Sequence, residues 1–113
     1  MASDNEHCGD RGRECTITVS NPVLRGMYPD PSWIWDTTRE EIVLVNSSFE
    51  LVPGLPIHTT RDLVTWTRTA NAVDEPMSHR LLIDGVEDSG GLYAPTIRRI
   101  GGRYVIVCTV ARV

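Results

Sequence analysis

Short runs of apolar and β-branched residues recur along the chain and are separated by polar segments that contain Gly and Pro. This pattern is typical of β-strands joined by turns. The alternation of polar and apolar residues over 16–19 predicts that ordered structure begins there. No segment shows a helical period, so the predicted fold class is all-β. Four further runs predict strands, at 32–35, 42–48, 57–60 and 66–69.

The second half of the chain predicts a connection followed by a hairpin. Residues 70–91 form a long polar connection, in which the apolar residues of 81–83 could dock onto the core. Residues 95–100 and 104–110 predict two strands, and Gly101-Gly102 between them predicts a tight hairpin turn. A further turn is predicted at 53–56, where the sequence reads PGLP.

The strands also repeat as a unit. Pro31 and Pro95, 64 positions apart, each precede a strand, a turn and a second apolar strand. Antiparallel units repeated at such a spacing indicate a β-propeller. The first unit has four predicted strands and the second has two. Because a propeller blade buries its faces against neighbouring blades, about three units are needed for stability. We therefore expect an N-terminal fragment of a longer protein, or a chain that another chain completes through exposed blade edges.

Composition limits the domain count and the classes of partner. A chain of 113 residues allows one small domain at most, and we expect a polar leader over 1–16 before a partial propeller domain over 17–113. The 11 basic residues are all Arg and are scattered among 15 acidic ones, which argues against nucleic-acid binding. No apolar run is long enough to span a membrane. The N-terminus lacks the apolar core of a secretory signal, which favours a cytoplasmic location.

The repeat contains one chemical asymmetry. The residue before the shared proline is Asp30 in the first unit and Ala94 in the second. Prolines at 29 and 31 restrict the backbone around Asp30. Since the innermost strand of a blade begins near the propeller axis, this carboxylate is predicted to face the central cavity. The alternative is that Asp30 only caps a turn.

Four collinear blocks resemble glycoside hydrolase family 43, over about residues 19–113. Within that family, the sequence blocks most resemble those of the β-xylosidase and α-L-arabinofuranosidase members. The blocks are 21–32 (NPVLRGMYPDPS), 46–58 (NSSFE, then PGLPIH), 61–66 (RDLVTW) and 89–98 (SGGLYAPTIR).

The resemblance implies a five-bladed β-propeller with a funnel-shaped central site, of which this chain holds about the first blade and two strands of the second. It implies inverting hydrolysis of xylan- or arabinan-derived oligosaccharides, with Asp30 as the general base. The general acid and the aspartate that tunes its pKa would lie on later blades, beyond Val113. One carboxylate cannot act as acid and base at once, so the isolated chain is expected to be inactive.

The resemblance also implies residues that contact the sugar. Phe49 and Tyr93 would present aromatic rings to the apolar faces of a pentose, and the small Ala94 would let the sugar approach. Core packing is the alternative for both rings. No cofactor is implied, and no metal site is predicted, since His58 has no second ligand at a suitable spacing. The three tryptophans are predicted to lie in the blade core: Trp33, Trp35 and Trp66.

Two other functions stay open on the sequence. A carbohydrate-binding remnant would keep Asp30, Phe49 and Tyr93 without hydrolysis. A structural piece would instead use its unpaired strand edges to recruit a complementary chain.

Overall fold

The described part of the chain folds into two antiparallel β-sheets. The structure is a computed structural model, and it describes residues 14–81 and 90–112. Sheet A has the order β1-β2-β3-β4 and sheet B consists of β5 and β6. A short helix, α1, follows sheet A. The elements are β1 (Ser32–Asp36), β2 (Glu41–Val45), β3 (Gly54–Thr60), β4 (Thr67–Val73), α1 (Glu75–Arg80), β5 (Gly91–Ile100) and β6 (Arg103–Ala111).

The predicted hairpin between β5 and β6 is confirmed. Ile100 pairs with Arg103 across a two-residue turn. Gly101 and Gly102 have φ values of 56° and 77°. Such turns require positive φ at both central positions, which glycine adopts without a steric penalty.

Sheets A and B pack against each other through one apolar core. Its buried members come from β2, β3, β4 and β5: Val43, Val45, Leu55, Val73, Leu92 and Ile97. Just beyond β2, Phe49 forms an isolated bridge with Leu92 of β5. The backbone at this bridge is tight, because a Cβ on Gly91 would overlap the carbonyl group of Phe49. The core and the bridge together fix the start of sheet B against sheet A.

A buried ion pair joins the sheets at the other end of β1. Arg99 Nη1 of β5 lies 2.7 Å from Asp36 Oδ1, which also accepts hydrogen bonds from the backbone amides of Thr38 and Arg39. Burial opposes ionisation of Asp36, but the two amides and the Arg99 guanidinium outweigh it and hold the pKa of this carboxyl below its ordinary value.

Several predicted boundaries are wrong. Residues 16–19 are exposed and form no strand. The turn predicted at 53–56 is occupied from Gly54 onward by β3, and β2 ends at Val45 rather than at residue 48. These changes leave 46–53 as the connection between β2 and β3.

One short helix occurs in the described residues, although no segment of the sequence shows a helical period. In α1, the Asp74 side chain accepts a hydrogen bond from the amide of Met77, and Pro76 lies in the first turn. An N-cap acceptor followed by proline favours a helix start. At its end, Leu81 packs against the core as predicted, whereas residues 82 and 83 lie outside the described residues.

The tryptophans of β1 do not lie in the core. Trp33 and Trp35 are 60% and 49% exposed, because they point to the face of sheet A opposite to Ile34, which packs on the core. Trp66 is half-buried, and its indole Nε1 donates to the Leu63 carbonyl at 3.2 Å. Most of the leader predicted over 1–16 lies outside the described residues. Among the described residues, no helix is long and apolar enough to cross a membrane.

Candidate active site

Asp30 lies two residues before β1, at the edge of sheet A. It is exposed, and its φ of 52° is in the left-handed region, which Asp and Asn tolerate better than most residues. Pro29 and Pro31 flank it. The backbone therefore holds this carboxylate in one unusual local conformation.

The segment that follows β2 holds in place the two residues that precede Asp30. The Asn46 side-chain amide donates to the carbonyl oxygens of Tyr28, at 2.8 Å, and of Pro29, at 3.1 Å. The backbone amide of Ser47 donates to the same Pro29 carbonyl, also at 3.1 Å. Residues 28 and 29 are thereby tied to the end of β2, immediately before the carboxylate.

The Ser47 hydroxyl joins Asp30 to Ala94. Ser47 Oγ donates to Asp30 Oδ2 at 2.7 Å and accepts from the Ala94 backbone amide at 2.7 Å. Ala94 is exposed and lies where the register of β5 shifts between Tyr93 and Thr96. Two residues predicted for the site, one just before β1 and the other in β5, therefore share one hydroxyl group.

The two predicted sugar-contacting rings touch each other beside Ala94. Phe49 and Tyr93 are half-buried and meet edge to face, with ring centroids 4.8 Å apart. The bridge between Phe49 and Leu92 sets the position of both rings, since Tyr93 follows Leu92 directly. The arrangement leaves part of each ring available to a ligand.

The site has no metal-binding character among the described residues. No three His, Cys, Asp or Glu side chains of residues 14–81 and 90–112 lie close enough to share an ion. His58 is 4% exposed and packs edge-on against Tyr28. Burial lowers the pKa of its imidazole, and the nearby charge of Arg68 lowers it further. This environment favours a neutral histidine in the blade interior.

A cavity next to Ser47, in the part of the chain that the structure describes, is separate from the predicted residues. It has a volume of about 200 Å³, and its lining includes Tyr28, Ser47 and Arg68. None of the four predicted residues, Asp30, Phe49, Tyr93 and Ala94, lines it. They form an open surface at the junction of the two sheets.

Sequence reasoning assigned no role to Ser47. Its block, NSSFE, contributes to the family resemblance, but the sequence indicates no role for either of its two serines. The contacts of Ser47 with Asp30 and Ala94 span 17 and 47 positions of sequence. No local pattern reveals contacts at that separation.

Comparisons with known proteins agree on the family. The sequence profile of Glycosyl hydrolases family 43 matches residues 19–113. The chain is 39% identical over 93 residues to the non-reducing end α-L-arabinofuranosidase BoGH43B of Bacteroides ovatus, a match that covers 81% of this chain and 17% of the relative. It is 34% identical over 97 residues to the β-xylosidase of Bacillus subtilis, with 86% and 17% covered. The chain thus spans about a sixth of the length of these relatives.

Solved structures give the same result. GH43B from the xyloglucan locus of Bacteroides ovatus superposes with a TM-score of 0.72 at 36% identity, over 81% of this chain and 18% of that one. The GH43 protein BlXynB of Bacillus licheniformis gives 0.71 at 33% identity, over 83% and 18%. The family resemblance and the propeller fold predicted from the sequence are confirmed. The chain belongs to family 43 of the glycosyl hydrolases and covers the N-terminal part of that family's five-bladed β-propeller.

Proposed function

We propose that this chain supplies the general base and one wall of the sugar site of an inverting glycoside hydrolase that acts on xylan- or arabinan-derived oligosaccharides. The observation that carries the proposal is the position of Asp30. Its carboxylate is exposed, held by the Ser47 hydroxyl, and placed beside Ala94 and the Phe49–Tyr93 ring pair. The names of the relatives, an arabinofuranosidase and a β-xylosidase, support the substrate class.

Inversion assigns Asp30 a specific step. The ionised carboxylate takes a proton from a water molecule while that water attacks the anomeric carbon, and the bond from that carbon to the leaving oxygen breaks. A separate acid protonates the leaving oxygen from the opposite side. The two carboxyl groups of an inverting pair stand about 6.5–9.5 Å apart, which leaves room for the water. Asp30 is open to solvent, so the attacking water can bind directly to its carboxylate and transfer a proton to it.

Because the general base and the general acid are separate residues, residues 1–113 alone should not turn over substrate. The family resemblance implies a general acid on a later blade, and Asp30 cannot serve as base and acid in one step. Recombinant 1–113 should leave 4-nitrophenyl β-xyloside and α-arabinofuranoside intact. If 1–113 turned over substrate and Asp30→Asn abolished that activity, the separation of base and acid would be contradicted. Asp30 would still be supported as a catalytic residue.

A chimera tests the role of Asp30 in a complete propeller. Residues 19–113 would replace the matching segment of the Bacillus subtilis β-xylosidase, which is 34% identical. Asp30→Asn keeps the size of the side chain and tolerates the positive φ, so the chimera should fold but lose about 10²–10⁴-fold in kcat.

A chemical rescue separates a base from a merely structural carboxylate. Asp30→Gly accepts the positive φ and opens space for an external anion. Azide needs no general base, so it should restore cleavage in this variant and give a glycosyl azide of inverted configuration. A chimera that keeps full activity with Asp30→Asn, or an azide product of retained configuration, would overturn the proposal.

A further inference from the structure

The Ser47 side chain sits entirely inside the protein although serine is polar. It is 0% exposed and lies two residues after the end of β2. A buried hydroxyl is costly unless its hydrogen bonds are satisfied. Ser47 Oγ has two hydrogen-bond partners, the Asp30 carboxylate and the Ala94 amide, each at 2.7 Å.

The chemistry of the two partners fixes the direction of the hydrogen bonds. The Ala94 backbone N–H can only donate, so Ser47 Oγ accepts there. The single hydroxyl proton is then left for Asp30 Oδ2, which must accept it. An ionised oxygen is the better acceptor, and such charge-assisted bonds are stronger than neutral ones. Each bond also polarises the next one along the chain from the amide to the carboxylate.

We propose that Ser47 is a positioning residue, which orients the Asp30 carboxylate and couples its charge to the Ala94 amide at the sugar-facing edge of sheet B. The functional meaning of this coupling rests on the proposed role of Asp30 as general base. The segments before β1 and after β2 carry the carboxylate and the hydroxyl, whereas β5 of sheet B supplies the amide. The orientation of the base therefore depends on β5 being docked on sheet A.

The neighbouring serine provides a matched control. Ser48 is also buried, and its Oγ accepts a hydrogen bond from the Leu55 amide at 3.0 Å, within sheet A. Ser48→Ala therefore removes one buried hydroxyl and one hydrogen bond to backbone, as Ser47→Ala does. The two variants differ in whether the lost group contacts Asp30.

The test follows two nuclei in isotope-labelled 1–113 across the pH range in which carboxyl groups ionise: the Asp30 carboxyl carbon and the Ala94 amide proton. In the unmodified chain, the Ala94 amide should shift with the same midpoint as the Asp30 carboxyl, and Asp30→Asn should remove that shift. Ser47→Ala should move the Ala94 amide upfield and reduce its pH-dependent shift roughly twofold or more, since only the direct field of Asp30 remains. Ser48→Ala should leave the shift unchanged.

A second variant covers the case in which Ser47→Ala does not fold. Ser47→Cys keeps nearly the same volume but offers only a weak donor, so it should reproduce the reduced Ala94 shift. An Ala94 amide that ignores Asp30 ionisation in the unmodified chain, or that responds equally in Ser47→Ala and Ser48→Ala, would overturn the inference. Because this measurement needs no turnover, its failure is distinct from failure of the proposed function, which the activity of the Asp30 chimeras decides.

Discussion

Asp30 and Ala94 occupy equivalent positions in successive units of the fold and share the same rare backbone conformation. Their φ values are 52° and 43°, and each precedes the proline that opens its unit. The two residues also share the Ser47 hydroxyl as a hydrogen-bond partner. The fold therefore builds the same backbone bend twice, and only the first copy bears a carboxylate.

The contact between Gly91 and Phe49 predicts a strong effect of one added methyl group. In Gly91→Ala the new Cβ would overlap the Phe49 carbonyl, and the φ of 99° is strained for alanine. Gly101→Ala also has a positive φ but nothing within 4 Å of the new Cβ. Urea denaturation should show that Gly91→Ala lowers the free energy of unfolding by at least about 2 kcal/mol more than Gly101→Ala. Equal losses of unfolding free energy in the two variants would mean that the backbones of Gly91 and Phe49 do not approach each other closely.

Arg99 is predicted to matter more to stability than its neighbour Arg98. Arg99 Nη1 contacts the buried Asp36, and its Nη2 donates to Thr38 Oγ1 at 3.0 Å. Arg98 is exposed, and its Nη1 donates to the adjacent Ile97 carbonyl. Arg99→Gln leaves a buried carboxylate without its cation, so its urea midpoint should fall well below that of Arg98→Gln. Matching midpoints would exclude a stabilising role for the ion pair between the sheets.

The lowered pKa of His58 predicts a loss of stability in mild acid. Well above pH 6.5 the imidazole is neutral in both the folded and the unfolded chain, so it contributes no slope there. Below pH 6.5 the unfolded chain binds the proton first, and the free energy of unfolding falls by at most about 1.4 kcal/mol per pH unit. The pKa values of the Asp36 and Asp62 carboxyl groups are lowered from 3.8, so these groups reduce the free energy of unfolding only in stronger acid, where they become protonated.

Urea denaturation at several pH values between 5 and 7.5 measures this slope. His58→Gln should flatten it, because glutamine does not titrate. A slope of the same size in His58→Gln would assign the acid sensitivity to another group.

The ring pair predicts weak sugar binding by the isolated chain. Xylotriose titrated into labelled 1–113 should shift the resonances of Phe49 and Tyr93, with a Kd of about 1 mM or weaker, since only part of the site is present. Phe49→Ala should abolish the shifts, whereas Tyr104→Ala, at an exposed ring on β6, should leave them intact. Shifts centred on Trp33 and Trp35 would place the sugar elsewhere.

The exposed indoles of β1 predict self-association. Trp33 and Trp35 lie side by side on an uncovered face of an edge strand, which favours contact with another apolar surface. Sedimentation velocity should show association of 1–113 that increases with concentration and that Trp33→Thr with Trp35→Thr reduces. Leu51→Thr removes an exposed apolar side chain outside this face and should change little. A monomer at every concentration would argue against pairing through this strand.

The sequence predicts hairpins better than it predicts which faces are covered. The β5–β6 turn follows directly from two adjacent glycines, because only a few turn types fit them. Alternation along β1 shows that Trp33 and Trp35 share a face. Whether that face is buried depends on the packing of another sheet, which a local pattern does not contain. The six residues of α1 are too few to show a helical period, although Asp74 and Pro76 signal its start.

Within the site, the positions prominent in the sequence were the aromatic and acidic ones. Asp30 stood out through the broken repeat, and Phe49 and Tyr93 through the family blocks. Ser47 has no such mark, since serine is common in connections and its role depends on two partners that folding brings together from distant segments.

The paired hydrogen bonds between Phe49 and Leu92 have a consequence for how this architecture can change. The two residues exchange N–H···O hydrogen bonds of 3.1 and 2.9 Å, so these bonds attach the second sheet beside the ring pair through residues outside the segment between 74 and 90. These hydrogen bonds do not involve that segment, so an insertion, a deletion or a break within it can leave the corner that holds Phe49 and Leu92 in the same shape. A gene divided at this point could encode two polypeptides that reassemble there.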